Sequence, residues 1–127
     1  MELNSNDLEL IEQAKQIIDK NYDPNKYYQT VGCALRTKEG KIYVGVNLDA
    51  TSHGSCAEYI AMGTAITNGE RSFDSIVAVI KTAEGHDVIP PCGNCRQMLH
   101  TYAKDIIVIV DGNTKATLLE ILKFPCD

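Results

Sequence analysis

The chain has 127 residues, 44% of them hydrophobic and 23% charged, which is the balance of one globular domain spanning residues 1–127 with a single core. Its formal net charge is −5 and its 12 lysines and arginines are scattered, so the composition argues against a nucleic-acid partner, which needs clustered cations, and favours a small-molecule ligand. No apolar run reaches the ~18 residues that cross a bilayer and no secretory signal is visible, so we expect a cytoplasmic protein without a membrane partner.

The first half of the chain predicts a helix, a hairpin and a second helix. Apolar residues recur at helical spacing across residues 6–21. Residues 31–37 and 41–47 are two short apolar runs separated by a turn, which predicts an antiparallel hairpin. After a polar loop, residues 56–68 form a helix rich in small residues, and Gly69 is placed to end it in a left-handed conformation.

The second half predicts two buried strands joined by a helix. Residues 75–82 and 106–110 are apolar on both faces, as in strands covered on both sides. Between them we expect a loop over residues 83–91 and a helix over residues 93–104, and after them a short helix over residues 117–123. Strand, helix and strand in this order predict a parallel unit with a right-handed crossover, within a three-layer α/β domain.

The cysteines suggest a metal site. The chain has five, an odd number that suits metal or catalytic use better than disulfides in a reducing compartment. Cys92 and Cys95 lie three residues apart after Pro91 at a predicted helix start, so both sulfurs can reach one ion. Alone, this pair also fits a structural zinc knuckle or a redox pair. Cys56 begins another helix and is the expected third ligand.

Three protein ligands leave the fourth tetrahedral position of zinc open, which is typical of catalytic sites. A structural site would need a fourth ligand, for which His53, Cys33 and Cys126 are candidates. His53 is the serious alternative, since Cys33 is expected in a strand core and Cys126 is next to the chain end. Zinc with three thiolates carries a net charge of about −1, which two converging helix N-termini would offset.

Glu58 follows Cys56 by two residues and therefore does not share its lateral helix face. If both act on one ion, the site lies at the end of the helix. A carboxylate there can move protons to and from a water molecule. The alternative is a glutamate that merely favours the first turn of a helix, where negative charge is stabilising.

These residues carry a resemblance to the cytidine deaminase family. VGCALRTKEGKIYVGVN resembles its first hairpin, SCAEYIAMGTAITNGERSFDSIVAV its first motif with the following helix and strand, and PPCGNCRQML its second motif. The resemblance implies a three-layer α/β/α cytidine-deaminase-like fold with a mixed five-stranded sheet and helices on both faces. It implies one Zn²⁺ per chain on Cys56, Cys92 and Cys95, with Glu58 as the catalytic proton shuttle.

The all-cysteine ligand set resembles the branch that acts on free nucleosides, and several stretches resemble blasticidin S deaminase. Three departures bear on the substrate. Tyr59 stands where cytidine deaminases have arginine. Asn47 and Asp49 stand where they have an Asn-x-Glu pair that holds the ribose, and Gln29 stands where they have phenylalanine. The resemblance assigns Asn47 and Asp49 to the sugar and the backbone of Ala57 to the base carbonyl, and it places Gln29 among the substrate-binding residues.

The implied reaction is hydrolytic deamination of a cytosine-type nucleoside to the uracil-type product with release of ammonia. Glu58 would move a proton from the attacking water to N3 of the ring. The substrate could be cytidine, deoxycytidine or blasticidin S. The resemblance also implies a homotetramer or homodimer in which Phe124 is contributed across the interface to a neighbour's substrate site. The alternative for Phe124 is a core residue under the last helix. The alternatives are a deaminase of another amino-heterocycle and a non-catalytic binding module stabilised by structural zinc.

Overall fold

The structure, a computed structural model, describes residues 1–50 and 54–122. The alternative ligands His53 and Cys126, the interface candidate Phe124 and the end of the predicted last helix lie outside these ranges. In chain order the elements are α1 (Ser5–Asn21), β1 (Val31–Thr37), β2 (Ile42–Val46), α2 (Ala57–Thr67), β3 (Phe73–Thr82), β4 (Gly85–Ile89), α3 (Gly93–Tyr102), β5 (Ile107–Ile109), β6 (Lys115–Thr117) and α4 (Leu118–Leu122).

The strands form one mixed sheet in the order β2-β1-β3-β5-β6, and β4 pairs with β3 outside that path. The predicted hairpin is confirmed, because β1 and β2 are antiparallel with Cys33 opposite Gly45. β3 and β5 are parallel with Ser75 opposite Ile107, and α3 lies between them in the chain. The predicted parallel strand–helix–strand unit is therefore confirmed.

Within the described ranges the sheet has six strands, so the expected count of five was wrong. β4 lies within the segment predicted as a loop, residues 83–91, and pairs antiparallel with β3, with Val79 opposite Val88. Its sequence, GHDVI, has its two large apolar residues adjacent, Val88 and Ile89, and so lacks the alternation that signals a strand. Main-chain pairing to the long β3 makes it a strand nevertheless.

Each face of the sheet has its own core. Successive residues of β1 point to opposite faces. Cys33 and Leu35 belong to the core that packs against α2, α3 and α4, whereas Ala34 belongs to the core beneath α1. Helices therefore cover both faces, as predicted, and the three helices on one face leave the N-termini of α2 and α3 on the same side of the sheet.

The helices begin and end close to the predicted residues. At the start of α1, Asn4 and Asp7 each accept a hydrogen bond from the other's backbone N–H, a capping box. Gly69 has a φ of 91° and follows the end of α2, as predicted. α3 ends at Tyr102, two residues before the predicted end, because Ala103 is buried in a non-helical conformation. No helix in the described ranges is both long and apolar enough to cross a membrane.

Candidate metal centre and active site

Cys56 is the residue at which the chain enters α2. Its backbone is extended, with φ −70° and ψ 153°, while its carbonyl accepts hydrogen bonds from the N–H groups of Tyr59 and Ile60 at 3.0 and 3.3 Å. Its side chain makes no capping hydrogen bond to the helix. Because the first N–H groups of a helix lack partners within it, the Cys56 sulfur lies at a positively polarised helix end.

Gly45 sets how closely α2 approaches the sheet. A Cβ at this position of β2 would lie 2.5 Å from the backbone nitrogen of Ala61 and 2.9 Å from the carbonyl oxygen of Ala57. Only glycine therefore allows the backbone of α2 to lie directly on β2. Gly45 was not predicted as a residue that positions the site, although a glycine inside an otherwise apolar strand is the signal for such a contact.

Cys92 and Cys95 are placed by the start of α3. Cys92 is the extended residue before the helix, with φ −72° and ψ 175°, and its carbonyl accepts the N–H of Arg96 at 2.9 Å. Cys95 lies within the first turn and is fully buried. A spacing of three residues brings both sulfurs to the same side of the helix end.

The structure brings the three predicted zinc ligands together. The sulfur atoms of Cys56, Cys92 and Cys95 lie within 4.8 Å of one another, and those of Cys56 and Cys92 are 3.9 Å apart. With Zn–S bonds of ~2.3 Å, two sulfurs on one tetrahedral ion lie about 3.8 Å apart, so the donor set fits zinc. In the part of the chain that the structure describes, the group comprises these three cysteines and does not include Cys33.

Burial and backbone N–H groups act in opposite directions on these thiols. Burial raises the pKa of Cys56, and burial together with the charge of Glu58 raises the pKa of Cys95. Burial also favours a higher pKa at Cys92. Hydrogen bonds from the N–H groups of Cys95 and Asn94 and from the neighbouring thiols outweigh it, so the pKa of Cys92 is lowered. The start of α3 therefore stabilises a thiolate, and a bound cation would favour the thiolate form of all three.

Glu58 is buried in the first turn of α2, with 5% of its surface exposed. Burial raises the pKa of its carboxyl, and its own N–H and the Cys95 thiol, as hydrogen-bond donors, lower it in part. The carboxylate charge also adds to the burial that raises the pKa of Cys33. The carboxyl is therefore directed toward the cysteines and not into solvent, and a raised pKa suits a group that takes up and returns a proton.

A cleft of about 320 Å³ opens beside the cysteines. This volume lies at the lower end of the range for small-molecule sites. Asp49 and Glu58 are the charged residues among its described lining, and no lysine or arginine of the described ranges lines it. Its lining includes four of the predicted catalytic and substrate-binding residues and two of the predicted ligands: Asn47, Asp49, Ala57, Glu58, Cys56 and Cys92.

Asn47, Asp49 and Gln29 are joined by hydrogen bonds beside this cleft. The Asn47 side chain accepts the N–H of Val31 at 3.0 Å and donates to both carboxylate oxygens of Asp49 at 3.4 and 3.3 Å. The backbone N–H of Gln29 donates to Asp49 at 3.2 Å, and its side-chain amide donates to the carbonyl of Asn47 at 3.4 Å. Gln29 has a φ of 53°, an uncommon conformation for a residue with a side chain, which these contacts help to hold.

Tyr59 brings no positive charge to the site. It is 43% exposed, and its hydroxyl donates to the carbonyl of Asn94 at 3.4 Å. Burial and then the charges of Cys95, Cys56 and Cys92 raise the pKa of its phenol, so Tyr59 lies beside the cysteines as a neutral group. The converging helix N-termini can offset part of the negative charge of the three thiolates.

Comparison with known proteins places this geometry in a family. The family model described as the cytidine and deoxycytidylate deaminase zinc-binding region matches residues 4–110. The blasticidin-S deaminase of Bacillus cereus is 38% identical over 94% of this chain and 91% of its own. A cytidine deaminase of Halalkalibacterium halodurans is 33% identical over 88% of this chain and 83% of its own.

Solved structures agree on the fold. The cytidine deaminase of Burkholderia pseudomallei superposes with a TM-score of 0.73 at 28% identity, over 97% of this chain and 99% of that chain. The cytidine deaminase of Mycobacterium leprae superposes with a TM-score of 0.78 at 23% identity, over 94% and 98% of the two chains. The cytidine-deaminase-like fold expected from the sequence is confirmed. The chain belongs to the cytidine and deoxycytidylate deaminase family and carries that family's zinc-binding region.

Proposed function

We propose that this chain is a zinc-dependent hydrolase that deaminates a cytosine-type nucleoside, releases ammonia and leaves the uracil-type product. One observation carries the proposal: the buried carboxyl of Glu58 lies beside three converging cysteine sulfurs and lines a cleft large enough for a small molecule. A purely structural zinc site does not require a buried carboxyl group that faces a cleft.

Cys56, Cys92 and Cys95 would hold the zinc, which when bound supplies a Lewis acid that lowers the pKa of a water molecule. Glu58 accepts the proton of the attacking water and donates it to N3 of the ring as C4 gains oxygen. A second proton transfer by Glu58 lets the amino group leave as ammonia. Burial of the carboxyl supports this role, because a raised pKa brings its uptake and release of protons closer to neutral pH.

The cleft favours a nucleoside over a nucleotide. Its described lining carries the charges of Asp49 and Glu58 and offers no cation to a phosphate. The relatives with the highest identities quoted above are named for blasticidin S and cytidine, both cytosine nucleosides. We assign the sugar side of the substrate to Asn47, Asp49 and Gln29, and the base carbonyl to the backbone of Ala57.

We also propose a homotetramer or homodimer in the cytoplasm. Exposed apolar side chains support an interface: Leu48, which lines the cleft, is 52% exposed, and Tyr27 is 70% exposed. Reduced cysteines as ligands suit a reducing compartment. Light scattering on the zinc-loaded protein tests the assembly, and a monomer at micromolar concentration would contradict it.

An ammonia-release assay with Glu58→Gln tests the function. The wild-type protein is expected to release ammonia from cytidine, deoxycytidine or blasticidin S, and the variant to retain one zinc per chain while kcat falls by roughly 10²–10⁴-fold. Glu12→Gln, on the exposed face of α1, is the matched control and should keep full activity. Ammonia release by the variant at the wild-type rate would refute the role of Glu58.

A zinc absorption-edge spectrum separates the enzyme from the non-catalytic alternative. Three sulfurs and one oxygen ligand are expected for an open catalytic site. Three sulfurs and one imidazole nitrogen, together with no ammonia from any cytosine nucleoside or from adenosine or guanine, would favour a structural zinc module.

A further inference from the structure

The guanidinium of Arg96 joins two parts of the chain next to the cysteine cluster. Arg96 directly follows Cys95 on the first turn of α3. Its Nε donates to the carbonyl oxygen of Pro91 at 2.9 Å, and one terminal nitrogen donates to the carbonyl oxygen of Ile121 at 2.8 Å. Both bonds are partly buried, so the side chain lies back over the start of its own helix instead of extending into water.

The first of these bonds spans the segment that carries two of the proposed ligands. Pro91 immediately precedes Cys92, and Arg96 immediately follows Cys95, so the Nε bond closes a ring around both cysteines. The backbone N–H of Arg96 also donates to the carbonyl of Cys92 at 2.9 Å, within the helix. The orientation of the Pro91 carbonyl helps fix the backbone of Cys92, and therefore the direction of its sulfur.

The second bond connects this ring to α4. Ile121 lies in the last turn of α4, whose final carbonyl groups lack partners within so short a helix. Hydrogen bonds from a charged guanidinium are stronger than neutral ones, and its planar fork can serve two acceptors at once. A lysine ammonium could reach one of these carbonyls but could not reproduce both directions.

We propose that Arg96 is a positioning residue for the metal centre: it holds the Cys92–Cys95 segment in the geometry that binds zinc and fastens that segment to α4. It acts through Cys92 and Cys95 and is not among the described residues that line the cleft. The inference rests on the proposed ligand set, and its main readout is zinc affinity, which does not depend on any substrate.

Zinc affinity of Arg96→Met and Arg96→Lys, measured by competition with a chromophoric chelator, tests the proposal. Residues that orient metal ligands typically contribute 10–100-fold to metal affinity or activity, so Arg96→Met should weaken zinc binding by at least ~10-fold. The zinc affinity of Arg96→Lys should lie between those of Arg96→Met and the wild type. The sulfur-to-metal absorption of the Co²⁺-substituted protein should change in the same order.

Arg71 provides the matched control. It too donates to two backbone carbonyls, those of Ile66 and Glu70 at 3.0 and 2.7 Å, but at the far end of α2 from Cys56. Arg71→Met should keep zinc affinity within about twofold of the wild type, a range that is small beside the effect expected at Arg96. If Arg71→Met and Arg96→Met weaken zinc equally, or if neither does, the positioning role is refuted.

Two further variants keep the outcomes distinct. Where Arg96→Met fails to fold, Arg96→Lys decides alone: weakening of zinc binding by about threefold or more supports the proposal, and an unchanged affinity refutes it. Cys92→Ser, in the same assay, tests the ligand set on which the inference rests. Unchanged zinc binding by Cys92→Ser would overturn the proposed metal centre itself, and with it the role of Arg96.

Discussion

The backbone of Gly45 lies against the backbone of Ala61, so closely that a Cβ on Gly45 would be 2.5 Å from the Ala61 nitrogen. α2 therefore rests on the main chain of β2 without intervening side chains. Because α2 begins at the residue after Cys56 and carries Glu58 in its first turn, the distance between strand and helix determines where the site residues lie. The same Cβ would lie 2.9 Å from the carbonyl oxygen of Ala57, the residue between Cys56 and Glu58, so this contact reaches the start of α2 directly.

Gly45→Ala should displace the start of α2 and weaken both the fold and the site. Forcing an extra carbon into a packed interface costs about 1–3 kcal/mol, and a shift of ~1 Å in reacting groups can lower a rate by about 10²-fold. We expect the free energy of unfolding to fall by about 2 kcal/mol and kcat by at least ~10-fold. Urea unfolding of the zinc-loaded protein and steady-state kinetics measure these changes.

Gly63 is the control within the same helix. It is exposed, and nothing lies within 4 Å of a Cβ added there. Gly63→Ala should therefore raise the free energy of unfolding by about 0.5–1 kcal/mol, since alanine favours the helix, and should leave kcat unchanged. Equal behaviour of the two alanine variants would show that the close approach at Gly45 does not position the site.

The cysteine ligands could be predicted from local spacing, whereas the residues that place them could not. Cys92 and Cys95 three apart at a helix start, and Cys56 at another, led to the cluster that the structure contains. Local patterns cannot report contacts between distant segments. The bond between Gln29 and Asp49 joins residues 20 apart in sequence, and the approach of Gly45 to α2 depends on tertiary packing.

β4 was missed for a related reason. Its apolar residues do not alternate, so only pairing with β3 makes it a strand, and its end leads directly into the cleft: Ile89 and the following Pro90 both line that space. The segment treated as a loop from the sequence is therefore an ordered wall of the proposed substrate site. Strand propensity depends on the neighbouring strand more than on the segment's own sequence.

Asp49 should make the enzyme discriminate against anionic substrates. Two unit charges about 6 Å apart in water interact by about 0.7 kcal/mol. The binding free energy of a dianionic phosphate near this carboxylate should therefore be less favourable by about 1.4 kcal/mol, or about tenfold in affinity. We expect kcat/KM for cytidine to exceed that for cytidine monophosphate by at least this factor. Asp49→Asn, which retains an acceptor oxygen for the Gln29 N–H, should reduce the difference by about tenfold.

Asp49→Asn should also lower kcat/KM for the cationic blasticidin S by about threefold relative to cytidine, because one favourable charge pair is lost. Added salt should diminish both effects by screening. Asp74→Asn, at an exposed position of β3 that does not line the cleft, is the control. If Asp49→Asn and Asp74→Asn give the same substrate preferences as the wild type, the charge of Asp49 does not select the substrate.

Cys33 should behave as a core residue and not as a zinc ligand. It is fully buried on β1 in the core cluster that also contains Ala57 and Leu35. Burial, with the charge of Glu58, raises the pKa of its thiol, so it remains protonated. Cys33→Ala should keep one zinc per chain and lose about 1 kcal/mol of unfolding free energy, as is usual for removing one buried heavy atom.

Zinc content by atomic absorption and urea unfolding measure the two expectations, with Cys56→Ala as the comparison that should lose the metal. In the folded, zinc-loaded wild type, Cys33 should also resist alkylation by iodoacetamide, because reagents attack accessible thiolates. A fall in the zinc content of Cys33→Ala to that of Cys56→Ala would make Cys33 a fourth ligand. The coordination position needed for a water molecule would then be filled, and the proposed hydrolysis could not occur at this site.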